Sequence, residues 1–177
     1  MNLPGYSFED MAGLVYDNNW QLCEIFGDAL LIAIFWEETQ FNNIPQNKGT
    51  AVGFGQLEPA ELWTLKKYGI FTNGKNILND PAHSVEVTTY YLRHLYESQT
   101  GTAKSRSEAL KRYAGYYYDH AGWRLKLIAG WELCERALKA IPTASWNDDP
   151  DAIMNALSLS RGFVKTDPGI RNRLFPS

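Results

Sequence analysis

The sequence lacks a surplus of basic residues. Its 17 Lys and Arg residues stand against 20 Asp and Glu residues, so the formal net charge is −3. A protein that binds nucleic acid through its phosphates needs an excess of positive charge. The small excess of acidic residues therefore argues against nucleic acid as the main ligand. No apolar run reaches the ~18 residues that predict a membrane span. The start, MNLPGYSFEDMAGL, has no basic stretch before an apolar core, and we expect no secretory signal there.

Cysteine and histidine are scarce. Cys23 and Cys134 each lie in an apolar helical pattern, which predicts two buried free thiols. The three histidines, His83, His94 and His120, are scattered and have no partners at the intervals of a metal site. We therefore expect no metal and no other cofactor.

The sequence also lacks a sustained alternation of apolar and polar residues, which would predict β-strands, whereas signals of helix starts and ends recur. Helices are predicted to begin after Ser7, at Asp28, at Pro59, at Pro81, after Ser105 and near Ala121, with a short one at about 151–159. Residues 42–56 hold the Gly, Pro and Asn of a loop. We expect an all-α fold, with residues 1–141 as one domain and residues 142–177 as a C-terminal extension packed on it.

The segment FWEETQF places Glu37 and Glu38 at the end of the most apolar run, ALLIAIFW. At about 100° per residue, Glu38 shares a helix face with Leu31 and Phe35. Helix 28–39 is apolar almost all round, which predicts that other helices enclose it. Burial raises the pKa of a carboxyl, and a protonated carboxyl can act as general acid on a glycosidic oxygen. The alternative is a helix end in solvent, although acids at a helix C-terminus oppose the macrodipole.

Four blocks resemble the signature of the soluble lytic transglycosylase family, which has a lysozyme-like fold. E-T-Q-F-N at 38–42 resembles the catalytic Glu followed by Ser, any residue, Phe and Asn, and A-V-G-F-G-Q-L-E-P-A at 51–60 resembles A-x-G-L-M-Q-L-M-P-A. Asp80-Pro81 followed by Tyr91-Leu92-Arg93 resembles the D-P helix that ends in Y-L-R. A-L-K-R-Y-A-G at 109–115 resembles A-L-A-A-Y-N-A-G, without its Asn. The resemblance covers roughly residues 28–116.

The resemblance implies a lysozyme-like helical domain with a catalytic Glu, Glu38, at the end of its buried central helix. It implies cleavage of peptidoglycan glycan strands at the β-1,4 bond between N-acetylmuramic acid and N-acetylglucosamine. Glu38 would serve as single acid and base, and the substrate's acetamido oxygen would stabilise the positive charge. The product would carry a 1,6-anhydro end.

Further substrate-binding residues are expected around this acid: Thr39, Gly53, Phe54, Gln56, Glu58, Tyr113, Tyr116 and Tyr117. Glycines allow close approach of the backbone to a ligand, and an amide such as that of Gln56 can both donate to and accept from a sugar. Tyr113 combines a flat face with a hydroxyl, and the run at 116–118 is a candidate for subsite walls. Four tryptophans on apolar helical patterns are assigned to packing: Trp20, Trp36, Trp63 and Trp131.

Two other functions stay open at this point. A hydrolytic lysozyme would need a second acid, and the candidates are Glu37, Glu58 and Asp119, of which Glu58 is favoured by its place beside Gln56. Glu58 could instead be an ordinary acid at a helix N-terminus. A non-catalytic glycan-binding module is the third possibility, because the family's Asn after Tyr113 is missing.

The expected place of action is the cell wall, in the periplasm or outside the cell. Because no secretory signal is expected, we predict delivery of the kind used by a phage endolysin, or by a secretion machine for a toxin. In the second case a cognate inhibitor or immunity protein would be a partner.

Overall fold

A computed structural model describes residues 5–19, 24–70, 74–160 and 168–176. In these residues the chain forms ten α-helices and one short 3-10 helix. They are α1 (Phe8–Asn18), α2 (Asp28–Thr39), α3 (Pro59–Lys67), α4 (Gly74–Asn79), α5 (Pro81–Glu97), α6 (Arg106–Tyr113), α7 (Tyr116–Asp119), α8 (Gly122–Lys139), the 3-10 turn Thr143–Ser145, α9 (Pro150–Leu157) and α10 (Pro168–Leu174).

The predicted helix starts are confirmed by their caps. The side chains of Ser7, Asp80 and Ser105 each accept a hydrogen bond from the backbone N–H three residues on. Pro59 and Pro81 occupy the first helical position. A backbone N–H at this position has no acceptor within the helix, so the N–H that proline lacks costs no hydrogen bond. The short helices α4, α7 and α10 were not predicted, because six, four and seven residues are too few to establish a period of 3.6.

Helix α2 forms the centre of the molecule. Every residue from Ala29 to Trp36 is buried, and the helix packs mainly against α8 and α1. The prediction that other helices enclose this segment is confirmed. A helix with no polar face cannot lie at the surface without exposing apolar area, so its sequence requires a core on all sides.

The described residues contain no strand. Two isolated bridges occur, Pro45 with Val52 and Val52 with Leu57. They fold the loop between α2 and α3 back on itself, which brings its Gly-rich part beside the end of α2. The all-α prediction is confirmed in the described residues.

Residues from the C-terminal part of the chain pack on the N-terminal helix. The ring of Phe8 contacts the rings of Trp146 and Phe175, with centroids 5.7 and 5.8 Å away. Arg173 donates to the carbonyl oxygen of Tyr6 and lies over the ring of Trp36, 6.0 Å from its centroid. The division at residue 141 stays a prediction.

Several predictions about single residues can be compared with the structure. Trp36 and Trp131 are fully buried, as predicted, but the packing assignment of Trp63 is wrong, since 62% of its surface is exposed on α3. Lys67 lies over the Trp63 ring, one turn along the same helix. Cys134 is a buried free thiol. Cys23 and Trp20 lie outside the described residues.

None of the helices in the described ranges is long and apolar enough to cross a membrane. In the same part of the chain, no group of three or more His, Cys, Asp or Glu side chains is arranged to hold a metal ion.

Candidate active site

A cleft of about 850 Å³ opens beside the end of α2. Its walls come from separate parts of the chain. They are the last turn of α2, the loop between α2 and α3, the first turn of α3, the end of α6, α7, and the start of α8. A cavity of this volume is in the range of ligand sites, roughly 300–1,000 Å³.

Glu38 lies on this wall because α2 stops one residue after it. Gln40 and Phe41 both adopt left-handed backbone conformations, with φ of 51° and 62°, which end the helix abruptly. The Asn42 side chain donates to the carbonyl oxygens of Thr39 and Gln40, at 2.7 and 3.2 Å. Glu38 is therefore partly buried at the border between the core and the cleft. That its carboxyl holds a proton near neutral pH stays a prediction.

Thr39 connects the end of α2 to the Gly-rich loop. Its side chain is 7% exposed, and its hydroxyl lies 3.1 Å from the carbonyl oxygen of Phe35 and 3.3 Å from that of Phe54. The residue also lines the cleft. Its hydroxyl fixes the loop relative to the turn that carries Glu38.

Gly53 and Phe54 face the protein interior and do not line the cleft. Gly53 has a φ of 82°, and a Cβ there would lie 2.6 Å from both Ile77 and Ser84. The backbone N–H of Phe54 donates to the Ser84 hydroxyl at 2.9 Å, and its ring is fully buried. Their positions support the loop, and their predicted contact with substrate stays a prediction.

Tyr113 holds the loop at Gly55. Its hydroxyl donates to the Gly55 carbonyl oxygen at 2.6 Å, and a Cβ at Gly55 would meet that hydroxyl at 2.7 Å and Thr88 at 2.5 Å. Burial raises the pKa of Tyr113 well above its usual value, and the charges of Glu38 and Glu61 raise it further. The Tyr113 hydroxyl therefore stays protonated and can donate a hydrogen bond. It also lies close enough to Glu38 and Glu61 for their charges to affect it.

Gln56 lines the cleft in a left-handed conformation, with a φ of 49°. Its side-chain N–H groups donate to the carbonyl oxygens of Ile44 and Gly53, at 3.0 and 2.9 Å. This leaves the side-chain carbonyl oxygen as the group that can accept a hydrogen bond from a sugar. A non-glycine residue in this conformation, as close to the cleft as this, is typical of functional sites.

The predicted second acids separate into two groups. Glu58 lines the cleft, is exposed, and accepts a hydrogen bond from the Thr50 hydroxyl at 2.6 Å. Glu37 and Asp119 are not part of the cleft wall. Asp119 accepts two hydrogen bonds from Arg124, at 2.9 and 3.1 Å, and this pairing lowers its pKa.

Glu61 is an acid of the cleft that sequence reasoning missed. Its carboxylate accepts a hydrogen bond from the Glu58 N–H at 2.6 Å, which completes a capping box at the start of α3. Burial raises the pKa of Glu61 to about 7, although the hydrogen bonds from Glu58 N–H and the Tyr91 hydroxyl lower it. The signal was its spacing, because two acids three residues apart at a helix start lie on the same side.

Only part of the predicted aromatic run at 116–118 lies on the cleft wall. Tyr116 and Tyr117 do not line the cleft, and the Tyr117 hydroxyl donates to Glu108 at 2.5 Å. Tyr118 and Trp123 do line it, and they are 90% and 57% exposed. The Trp123 ring has a guanidinium over it, that of Arg124, 4.4 Å from the ring centroid. Flat, exposed rings of this kind suit stacking on sugar faces.

No curated protein and no solved structure matches the chain at a significant level. One family model does match, that of the "Transglycosylase SLT domain", over residues 21–123, which is more than half of the chain. This match supports lytic transglycosylase activity on peptidoglycan, and therefore action on the cell wall. The matched range includes α2, the Gly-rich loop, α3, and the cleft residues up to Trp123. The chain belongs to the transglycosylase SLT domain family.

Proposed function

We propose that this protein cuts peptidoglycan glycan strands at the β-1,4 bond between N-acetylmuramic acid and N-acetylglucosamine, and leaves 1,6-anhydro ends. The observation that carries the proposal is the position of Glu38. It stands at the end of a fully enclosed helix, partly buried, on the wall of a cleft of about 850 Å³. Partial removal from water favours a protonated carboxyl, which a general acid requires.

The proposed reaction proceeds in two steps, with Glu38 acting in both. The bond between C1 of N-acetylmuramic acid and the glycosidic oxygen breaks, the electron pair leaves with the oxygen, and Glu38 gives that oxygen its proton. The substrate's acetamido oxygen bonds to C1 and takes up the positive charge. The 6-hydroxyl oxygen then attacks C1 and displaces the acetamido oxygen, while Glu38 takes the hydroxyl proton back. No water is consumed.

Other cleft residues have supporting roles in this proposal. The carbonyl oxygen of Gln56 accepts from a sugar hydroxyl or acetamido N–H. Tyr118 and Trp123 stack on sugar rings at the exposed end of the cleft. Thr39 and Tyr113 hold the Gly-rich loop at a set distance from Glu38 through their bonds to Phe54 and Gly55.

Hydrolysis is the second candidate, because Glu58 lines the same cleft and could direct a water molecule. The two reactions differ in product. Hydrolysis gives reducing N-acetylmuramic acid ends, whereas the proposed reaction gives anhydro ends that are lighter by one water.

The test is mass spectrometry of the muropeptides that wild type releases from purified peptidoglycan, together with Glu38→Gln. We expect anhydro ends from wild type and no release from Glu38→Gln. Reducing ends as the sole product would overturn the one-acid mechanism and favour hydrolysis. Binding to peptidoglycan without release by either protein would leave a non-catalytic glycan-binding module.

The context of action is part of the proposal. The glycan strands of peptidoglycan are the proposed partner, reached from the periplasm or from outside the cell by phage-type or secretion-machine delivery. An inhibitor or immunity protein that covers the cleft would belong to the second route. Co-purification of the protein with a neighbouring gene product that blocks peptidoglycan release would support it.

A further inference from the structure

The cleft contains a carboxyl group that the one-acid mechanism does not use. Glu61 lies on the α3 side of the cavity whose α2 side carries Glu38. Two donors hold its carboxylate, the Glu58 N–H at 2.6 Å and the Tyr91 hydroxyl. A side chain fixed by two hydrogen bonds has lost the rotamer freedom of a surface glutamate, so its position in the cavity is set before any ligand arrives.

Capping alone does not account for this arrangement. A capping box needs only an acceptor at this position, and an exposed Glu or Gln would serve equally well. Glu61 is instead partly buried, and the groups that shift its pKa include no Lys or Arg. The cation of the cleft wall, Arg124, is held by Asp119. An anion at Glu61 is therefore unneutralised, and a positive charge in the cleft would stabilise it.

We propose that Glu61 is a second catalytic carboxyl of this cleft, which lies against the glycan strand and, when ionised, stabilises the positive charge that develops at C1 of the sugar during cleavage. This inference rests on the proposed function. It adds no bond and no proton transfer to the reaction, since Glu38 still donates and recovers the proton. A preorganised charge aimed at a developing charge of opposite sign lowers the barrier because nothing needs to reorganise.

The groups around Glu61 decide how its charge depends on pH. Glu58, the N-cap of the same helix, disfavours a second anion, whereas the hydroxyl of Tyr91 on α5 favours it. Tyr113 on α6 lies within range of the charges of both Glu61 and Glu38. Burial outweighs the hydrogen bonds and raises the pKa of Glu61 to about 7. The fraction of Glu61 in its ionised, active form therefore increases as the pH rises through neutrality.

The first experiment measures kcat and KM for release of muropeptides between pH 5 and 9. We expect kcat of wild type to fall on the acid side with a midpoint near the pKa of about 7. Glu61→Gln keeps the acceptor for the cap but carries no charge, so kcat should fall roughly 10²-fold with KM little changed, and the acid limb should disappear. Glu97→Gln, the same change at an exposed ion pair with Arg93 outside the cleft, should leave the profile as in wild type.

Tyr91→Phe separates a catalytic role from a structural one. Loss of the hydroxyl removes a bond that favours the anion, so the acid limb should move to higher pH by up to ~1 unit. An acid limb that is unchanged in both Glu61→Gln and Tyr91→Phe would overturn the proposal. A limb that disappears in Glu58→Gln and persists in Glu61→Gln would assign the role to Glu58 and overturn it as well.

The second experiment distinguishes a failure of this inference from a failure of the proposed function. In the Glu38→Gln background, where no cleavage is expected, the carboxyl carbon of Glu61 is followed by NMR while tetra-N-acetylglucosamine is added. Contact with the glycan should shift the Glu61 signal and change its titration midpoint. A Glu61 signal that is unaffected while signals of other cleft residues shift would overturn the proposal, whether or not wild type proves to cut peptidoglycan.

Discussion

The hydroxyl of Tyr113 donates to the carbonyl oxygen of Gly55 across 2.6 Å, and the two residues are 58 positions apart in the chain. This bond joins the end of α6 to the loop that faces Glu38. It is possible only because residue 55 has no Cβ, which would lie 2.7 Å from the same hydroxyl. The aromatic residue and the glycine therefore work as one unit in setting the width of the cleft.

Removal of that bond should loosen the loop without emptying the core. We expect Tyr113→Phe to lower the free energy of unfolding by about 1 kcal/mol, because one buried hydrogen bond is lost and the Gly55 carbonyl keeps no partner from α6. The rate of muropeptide release should fall by a larger factor than this small loss of stability suggests, because the loop beside Glu38 shifts when the bond to Gly55 is lost. Chemical denaturation and muropeptide release measure the two. Tyr16→Phe, at a side chain that is 75% exposed on α1 and outside the cleft lining, is the control, and an equal effect from it would contradict the expectation.

Thr39 offers a test of the contact between α2 and the loop. Thr39→Val keeps the shape but removes the hydroxyl that lies near the Phe35 and Phe54 carbonyl oxygens. We expect a loss of about 1–2 kcal/mol in unfolding free energy and a lower kcat, because a buried carbonyl is left without its donor. Thr39→Ser, which retains the hydroxyl, should keep most of the activity. Equal activity of the Val and Ser variants would mean that the hydroxyl does not position the loop.

The pKa of Glu61 also makes a prediction about stability. Its value is raised from 4.5 to about 7 in the folded protein, so the folded state holds a proton that the unfolded chain releases. Stability from this group is present below pH 4.5 and is lost as the pH rises to 7. Glu61→Gln should therefore be more stable than wild type by about 1–3 kcal/mol at pH 8 and similar to it at pH 4. Thermal unfolding at both pH values measures this, and parallel curves for the two proteins would contradict it.

Two exposed tryptophans, Trp63 and Trp123, give a matched pair for glycan binding. Trp123 lines the cleft and Trp63 lies exposed on α3 outside its lining. We expect Trp123→Ala to weaken binding of tetra-N-acetylglucosamine by roughly 10-fold, because a stacking surface is lost, and Trp63→Ala to leave it unchanged. Isothermal titration in the Glu38→Gln background measures both. Weaker binding in Trp63→Ala alone would place the sugar surface elsewhere.

Local signals in the sequence determined much of the fold. The run ALLIAIFW has no polar face, so it had to be an enclosed helix wherever the other helices went, and Glu38 had to stand at its end. Ser7, Asp80 and Ser105 mark helix starts through bonds that reach only three residues along the chain. The spacing around Glu38 and Gln56 was sufficient to indicate the transglycosylase family.

Only the tertiary structure decided which side chains share the cleft. Tyr116, Tyr117, Tyr118 and Trp123 are equally aromatic in sequence, yet only the last two line it, because the turn around α7 directs the others toward Glu108 and His120. Glu61 and Asp119 are both acids near a helix start, but Glu61 is partly buried beside Tyr91 and Asp119 is paired with Arg124. The burial and the ion pairing of a side chain depend on contacts between segments that are distant in the chain. A local sequence pattern does not predict these contacts.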